Sequence, residues 1–384
     1  MLFGAGILSE LSSIGAHAVL EGSNVRSNRL AAASDNDSNA PYIVNNNMPT
    51  ISAGDKVLVS GANGFIAIWV VRKFLEKGYR VRGTVRSADK GKFLEESFKS
   101  YGDKFEVFIV EDIAKAGAFD EAVKGVDVIA HTASPFHMNA VSPDELIGPA
   151  VNGTVGMLKS AAKNGDSVKR VVVTSSCASV LEIGVDKVFS EADWNELAIR
   201  EVKEQGDKAP GASKYRASKT LGEKAAWGFY EKNKADLKWD LAVLNPPFVF
   251  GPPIHDVKDP ASLNTSARAW YDAVLVDGKS KDFLTTQGSA YIDVRDVAEA
   301  HVLALEKEAA GGERIIISAV DAARALVPSP IPSHATLPVG YPGIPSKPPV
   351  EYDTSKAARI LGLKYRSKEE LTRDTLADIE KRGW

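Results

Sequence analysis

Lys56-Val57-Leu58-Val59-Ser60-Gly61-Ala62-Asn63-Gly64-Phe65-Ile66-Ala67 reads as a short buried strand, a glycine-marked turn and the start of a helix. The run Val57-Leu58-Val59 is brief and β-branched, as a central parallel strand covered on both faces must be. Gly61 permits the sharp turn at the strand's end, Gly64 lets the backbone approach a pyrophosphate, and small Ala67 lets the new helix pack close to the sheet. The helix then presents its first N–H groups and the positive end of its dipole to the phosphates, with Asn63, Phe65 and Ile66 completing the loop. A G-x-x-G-x-x-A pattern alone also suits an ordinary glycine turn. The dinucleotide reading therefore depends on the residues beyond Ala67.

Past that point strand and helix alternate. A helix over 64–77 leads to a second strand over 79–87, whose end lies roughly 20 residues past the glycines, where an acid would take the ribose 2′-hydroxyl of NAD. Arg86 stands there instead, with Lys90 one turn further on. Cations at that place suit the 2′-phosphate of NADP; the plain alternative is a solvated surface arginine. A third strand over 105–110 ends in Glu111-Asp112-Ile113, an acidic-apolar pair suited to adenine, with Asp112 on its amino group and Ile113 on its face. A fourth strand over 126–130 runs into His131-Thr132-Ala133-Ser134-Pro135. Small Thr132, Ala133 and Ser134 let backbone pass close to the cofactor, whereas His131 reads as a packing residue. A helix over 142–163, opened by Ser142-Pro143-Asp144-Glu145, a strand over 168–174, a polar excursion over 187–208, a helix over 213–232 and a strand over 239–244 complete the pattern. This predicts an α/β fold, a Rossmann-type doubly wound parallel sheet with ligands at the carboxyl ends of its strands.

After residue 253 the alternation loosens. Helices are expected over 262–277, from the segment 291–298 to 308, over 353–361 and over 367–382, with a strand over 313–319 and a proline-dense loop over 320–350. The expected organisation is a disordered N-terminal extension (1–50), an NADP-binding Rossmann domain (51–253), and a smaller C-terminal substrate-binding lobe (254–384) with elements returning to the Rossmann core. Residues 34–47 are rich in Asn, Ser and Asp, a disordered composition, and Met48 is read as a natural start.

Composition narrows the function classes. The chain has 384 residues and a net charge of −3, with no cationic run to track a phosphate backbone, so nucleic acid is not expected. It holds no apolar segment long enough to span a bilayer, and its single cysteine excludes an internal disulfide or a cysteine-based zinc site. Six scattered histidines lack ligand spacing, so no metal is expected. The expectation is a soluble protein of a reducing, cytoplasmic compartment, as a monomer or homodimer.

Tyr215-Arg216-Ala217-Ser218-Lys219 puts a phenol and an ammonium on one helical face, one turn apart. The ammonium is expected to pull the tyrosine pKa toward neutrality, making Tyr215 a general acid for a carbonyl oxygen, while Lys219 also reaches the nicotinamide ribose. Ser176 ends the fifth strand on the cofactor side and can donate to the same oxygen. Ser175 should point to the opposite face, and Cys177 reads as a small packing residue.

These residues resemble the extended short-chain dehydrogenases/reductases, within them the dihydroflavonol reductase, cinnamoyl-CoA reductase and yeast-type aldehyde/methylglyoxal reductase group. The matching stretches are Ser60 to Ala67, Arg82-Gly83-Thr84-Val85-Arg86-Ser87, Thr174-Ser175-Ser176, Tyr215 to Trp227, Asn245 to Pro252 and Tyr291 to Val297. The resemblance implies a Ser176–Tyr215–Lys219 catalytic triad, NADPH held by the 61–67 loop and Arg86, and Pro246 with the backbone near Val249 flanking the nicotinamide. The chain departs from the group over 321–339, which is short and proline-rich. The expectation is NADPH-dependent reduction of an aldehyde or ketone. The rivals are a sugar-nucleotide epimerase or dehydratase of the same superfamily, which usually prefers NAD, and a non-catalytic NADP-sensing regulator, which tends to lose the tyrosine or lysine. Phe136, Val180 and Pro253 are candidate pocket residues by position.

Overall fold

The computed structural model describes residues 50–134, 140–276, 278, 280, 290–319 and 350–384, all within one packing unit, Pro49–Trp384. The expectations for residues 1–47, Phe136 and 321–339 lie outside the described residues.

The chain enters through β1 (Lys56–Ser60), α1 (Phe65–Glu76), β2 (Arg80–Val85), α2 (Ala88–Phe98), β3 (Phe105–Ile109), β4 (Val128–His131) and α3 (Asp144–Asn164). It continues through β5 (Arg170–Thr174), β6 (Val188–Phe189), α4 (Glu196–Gln205), α5 (Gly211–Asn233), β7 (Asp240–Asn245), β8 (Phe248–Phe250), α6 (Thr265–Leu275) and β9 (Tyr291–Asp293). The remainder is α7 (Val294–Glu306), β10 (Arg314–Ile316), β11 (Glu351–Tyr352), α8 (Ser355–Leu361) and α9 (Lys368–Arg382).

Seven strands form one sheet in the order β10-β7-β5-β4-β1-β2-β3, every pair parallel. The order reverses between β1 and β4, which pair from Val57 with Val128 to Ser60 with His131. In an open parallel sheet the ligand crevice lies at such a reversal, outside the carboxyl ends of the strands.

Successive residues of a strand feed opposite faces. Val57 and Val59 join Val81, Val85, Ala130, Val172, Ala242 and Leu244 in a core with α1 and α7. Leu58 joins Ile129, Val171, Val173, Leu241 and Val243 in a second core that includes Met157 and Leu158 of α3 and Ala226 of α5. Fully burying each such aliphatic side chain contributes about 1.5–3 kcal/mol, so this two-sided run fixes the layers. At the amino ends of the strands, the buried guanidinium of Arg170 pairs with Asp240 (Nη2–Oδ2 2.8 Å) and donates to the Ala304 carbonyl (2.8 Å), pinning α7 to the sheet.

Two helices escape the sequence reading. α2 carries Gly91 in its interior and buries only Leu94 and Phe98 among its apolar residues. A Cβ on Gly91 would come within 2.8 Å of Val107, so the glycine lets α2 approach β3. α4 lies inside the polar 187–208 excursion and buries little more than Ala198 and Val202. Past residue 253, α7 and β10 join the Rossmann layers, whereas Trp270 and Val274 of α6 cluster with Leu371, Leu376 and Ile379 of α9. Among the described residues no helix is long and apolar enough to cross a membrane.

Candidate active site

The loop after β1 is built for close approach. Gly61 sits at φ +65°, and a Cβ there would come within 3.1 Å of Ala133. Gly64 caps α1 in extended geometry, with no side-chain cap and no acid in the first turn. A helix N-terminus without its own capping side chain suits an anion, which a pyrophosphate supplies. Asn63 and Ile66 are partly exposed beside it, while Phe65 is buried against the His255 ring at 5.5 Å.

Next to the loop, the Ser60 hydroxyl accepts the N–H groups of Thr132 and Ala133, both at 3.0 Å, and meets His131 Nδ1 at 2.9 Å. This holds the Thr132-Ala133 backbone against Gly61, with Ser134 partly exposed beyond. His131 is buried, and burial together with the nearby Lys219 charge pushes its pKa down to about 3. It is neutral at pH 7 and serves the strand end.

At the end of β2, Arg86 is exposed and Lys90 lies 3.7 Å from Asp256, a half-exposed pair that holds little. At the end of β3, the Asp112 carboxylate accepts the Ala114 N–H at 2.9 Å, and Ile113 packs against Gly153 of α3. Both pairs follow strand ends on the side of the sheet away from β5.

Ser176 comes just after β5 as the cap of a 3₁₀ turn over Cys177–Ser179, its hydroxyl accepting the Ala178 N–H at 3.1 Å. The Pro246 carbonyl, just past β7, accepts the Cys177 N–H at 2.8 Å, which sets Pro246 beside Ser176. Val249 is buried in β8, so only its backbone can face a ligand. Tyr215, in the early turns of α5, is hydrogen-bonded through its side chain to that of Ser176. The Lys219 ammonium lies 5.9 Å from the centre of the Tyr215 ring.

The expected pull of Tyr215 toward neutrality is not found. Burial dominates and pushes the phenol up to about 12, with the Ser176 hydrogen bond opposing it. The same burial pushes Lys219 down to about 8, opposed by the Glu223 carboxylate. At pH 7 the pair is therefore a protonated phenol beside an ammonium. Chemically, this can donate: a carbonyl oxygen lodged against the Tyr215 and Ser176 hydroxyls meets two donors, with a positive charge behind them.

The profile of the NAD dependent epimerase/dehydratase family matches residues 57–318. The chain belongs to that family. Within it, the chain is 36% identical to the NADPH-dependent methylglyoxal reductase GRE2 of Saccharomyces cerevisiae, over 85% of this chain and 98% of that protein. It is 32% identical to the cinnamoyl-CoA reductase CAD2 of Medicago truncatula, over 87% and 98%. The crystal structure of Gre2 from Candida albicans in complex with NADPH superposes with a TM-score of 0.76 at 33% identity, covering 86% of this chain and all of that one. The resemblance read from the motifs thus holds.

The placement of Val180 differs from the sequence reading of this family member. Val180 is fully buried among Cys177, Phe189 and Ile316, because the 3₁₀ turn sends the chain back into the core. Pro253 lines a small apolar cavity with Trp270 and Tyr271 of α6. Ser175 turns away from Ser176 and donates to the buried Glu223 at 2.5 Å. Glu223, Asn245 and Arg314 form a polar cluster behind the site to which the sequence reading gives no role.

Proposed function

We propose that this chain is an NADPH-dependent carbonyl reductase acting on aldehydes or ketones of small to medium size, with residues 254–384 contributing most of the substrate lobe. The observation that carries the reading is the Tyr215–Ser176 hydrogen bond at the carboxyl end of β5, with Lys219 beside it. The crevice fits a dinucleotide at Gly61, where no side chain fits, and at the uncapped start of α1. Its holders would be Gly61, Asn63, Gly64, Phe65, Ile66, Thr132, Ala133 and Ser134 along the phosphates and riboses, and Asp112 and Ile113 at the adenine. Arg86 and Lys90 would take the 2′-phosphate, Lys219 the nicotinamide ribose, and Pro246 with Val249 the nicotinamide. Bound NADPH would supply the hydride.

The chain's own residues do the rest. The Ser176 and Tyr215 hydroxyls orient the carbonyl by hydrogen-bonding its oxygen. As negative charge develops there, the Tyr215 hydroxyl transfers its proton, and the Lys219 ammonium stabilises the phenolate left behind. Donors already held in place cost no reorganisation at that moment.

NADPH oxidation at 340 nm, measured against a panel of aldehydes, ketones and a dihydroflavonol with NADH in parallel, tests this. Turnover with NADPH and little with NADH is expected. Tight NADPH binding without turnover on any carbonyl would overturn the reductase reading.

A further inference from the structure

Behind the proposed triad lies a carboxylate to which that mechanism gives no work. Glu223 stands one helical turn beyond Lys219 on α5, its side chain wholly buried. Its Oε2 accepts from Ser175 Oγ (2.5 Å), Ser179 Oγ (2.5 Å) and Asn245 Nδ2 (2.8 Å), while Oε1 pairs with the Arg314 guanidinium. Arg314 is itself held by the Glu191 carbonyl (2.9 Å) and lies 3.7 Å above the Trp194 ring. One acid therefore ties α5 to the ends of β5 and β7 and to β10. Each of these neighbours can donate to it, and a carboxylate, which only accepts, matches that set.

The contacts converge on Ser176. The Asn245 amide that donates to Glu223 also donates to the Ser176 carbonyl at 3.2 Å, and Ser175 is its chain neighbour. On the other side, Tyr215, Lys219 and Glu223 succeed one another at single-turn spacing, so a clamp at Glu223 fixes the height of the phenol on the helix relative to the Ser176 hydroxyl.

We propose that Glu223 is a positioning residue for the reduction: its carboxylate registers the helix bearing Tyr215 and Lys219 against the strand end bearing Ser176, and supplies the negative charge that Lys219 faces. The inference rests on the Ser176–Tyr215–Lys219 reading above. Around Lys219 stand Tyr215 and Glu223 from its own helix and His131 from β4, which is neutral; Arg314 from β10 faces Glu223. Of these groups only Glu223 is a carboxylate.

The test uses the full chain with Glu223→Gln and Ser175→Ala, and reads three quantities: NADPH affinity by fluorescence titration, kcat and KM for a carbonyl that the wild type reduces, and the pH profile. Gln turns an amide N–H₂ toward donors and leaves Arg314 without its counter-charge. Its kcat should fall by about tenfold or more, the cost of a small misplacement of reacting groups, with the NADPH Kd little changed. The alkaline limb of its kcat/KM profile should move to lower pH, since Lys219 loses the charge that favours its protonated form. Ser175→Ala keeps the ion pair and should lower kcat several-fold without moving that limb. A wild type that binds NADPH but reduces no carbonyl overturns the underlying reading. An active wild type whose folded Glu223→Gln form keeps both kcat and the limb overturns the inference. Should that variant not fold, full wild-type kcat in Ser175→Ala overturns it instead.

Discussion

The hydroxyls of Tyr215 and Ser176 are hydrogen-bonded to each other, although one sits on a helix and the other at the end of a strand in mid-sheet. Two donors that already face the same point need only exchange that mutual bond for one oxygen of a substrate. Burial sharpens the arrangement by keeping the phenol protonated, since a phenolate at pH 7 would have no proton to give.

Replacing Tyr215 with Phe keeps the ring and its packing and removes the proton. General acid catalysis is worth about 10²–10⁴-fold, so kcat should fall by that order while NADPH still binds. Stopped-flow absorbance at 340 nm together with fluorescence titration separates the two effects. A variant with unaltered turnover would show that the proton comes from elsewhere.

Arg86 stands exposed immediately past β2, where the proposed NADPH would bring its 2′-phosphate. A charge-assisted hydrogen bond contributes about 1.5–3 kcal/mol, which is roughly a tenfold to a hundredfold change in Kd. Arg86→Ala should weaken NADPH by that factor and leave NADH nearly unaffected, as measured by parallel titrations. Equal losses for both cofactors would place Arg86 outside the 2′-phosphate contact.

Gly61→Ala should damage the crevice itself. The positive φ costs a side chain about 1–2 kcal/mol, and the new methyl would press on Ala133 at 3.1 Å. The loss should appear as a lower thermal midpoint in the free protein and a larger deficit in NADPH affinity, because the methyl occupies the approach that the loop leaves open. Calorimetry with and without NADPH distinguishes them.

How legible each feature is in the sequence depends on the range of the interaction behind it. Val57-Leu58-Val59 announces its strand because a period of two is local and both faces are apolar, and the Gly61–Gly64 spacing names its turn for the same reason. α2 stays hidden because Gly91 costs a helix about 1 kcal/mol against Ala, and the gain that offsets this, close packing on Val107, comes from a different strand. Glu223 carries a signal, since it continues the one-turn spacing of Tyr215 and Lys219. In sequence it resembles a solvated acid because its partner Arg314 is 91 residues away. The raised phenol of Tyr215 is out of reach for a related reason: spacing shows the nearby ammonium, whereas desolvation depends on everything folded around it.

Acid should unfold the protein partly through its buried histidines. His301 donates from Nδ1 to the Val297 carbonyl at 2.8 Å and meets the Thr174 hydroxyl through Nε2 at 2.7 Å, and burial pushes its pKa down to about 4. With His131 at about 3, both are neutral when folded and take up protons near pH 6.5 when unfolded. Because the folded pKa values are depressed, the unfolded state binds more protons between about pH 6.5 and 4, so stability falls as pH drops through that window. Each histidine should contribute a loss of about 2 kcal/mol by pH 5. Urea midpoints at pH 5, 6 and 7 measure it, and His301→Gln should flatten the slope by about one proton.

Lys219 should set the alkaline limit of the reaction. Burial lowers its pKa to about 8, so the ammonium beside Tyr215 is lost in mildly basic solution, well before the phenol at about 12 ionises. Once neutral, Lys219 no longer stabilises the charge left on Tyr215 when its proton departs. The kcat/KM profile should therefore fall above roughly pH 8, on the side where Lys219 is deprotonated. Replacing Lys219 with Arg offers a clean contrast, because a guanidinium stays charged throughout the accessible range. That variant should be slower at pH 7, since the planar fork does not fit the ammonium's place, yet its profile should stay flat through pH 9. A wild-type profile that is itself flat to pH 10 would mean that the charge of Lys219 takes no part in the rate.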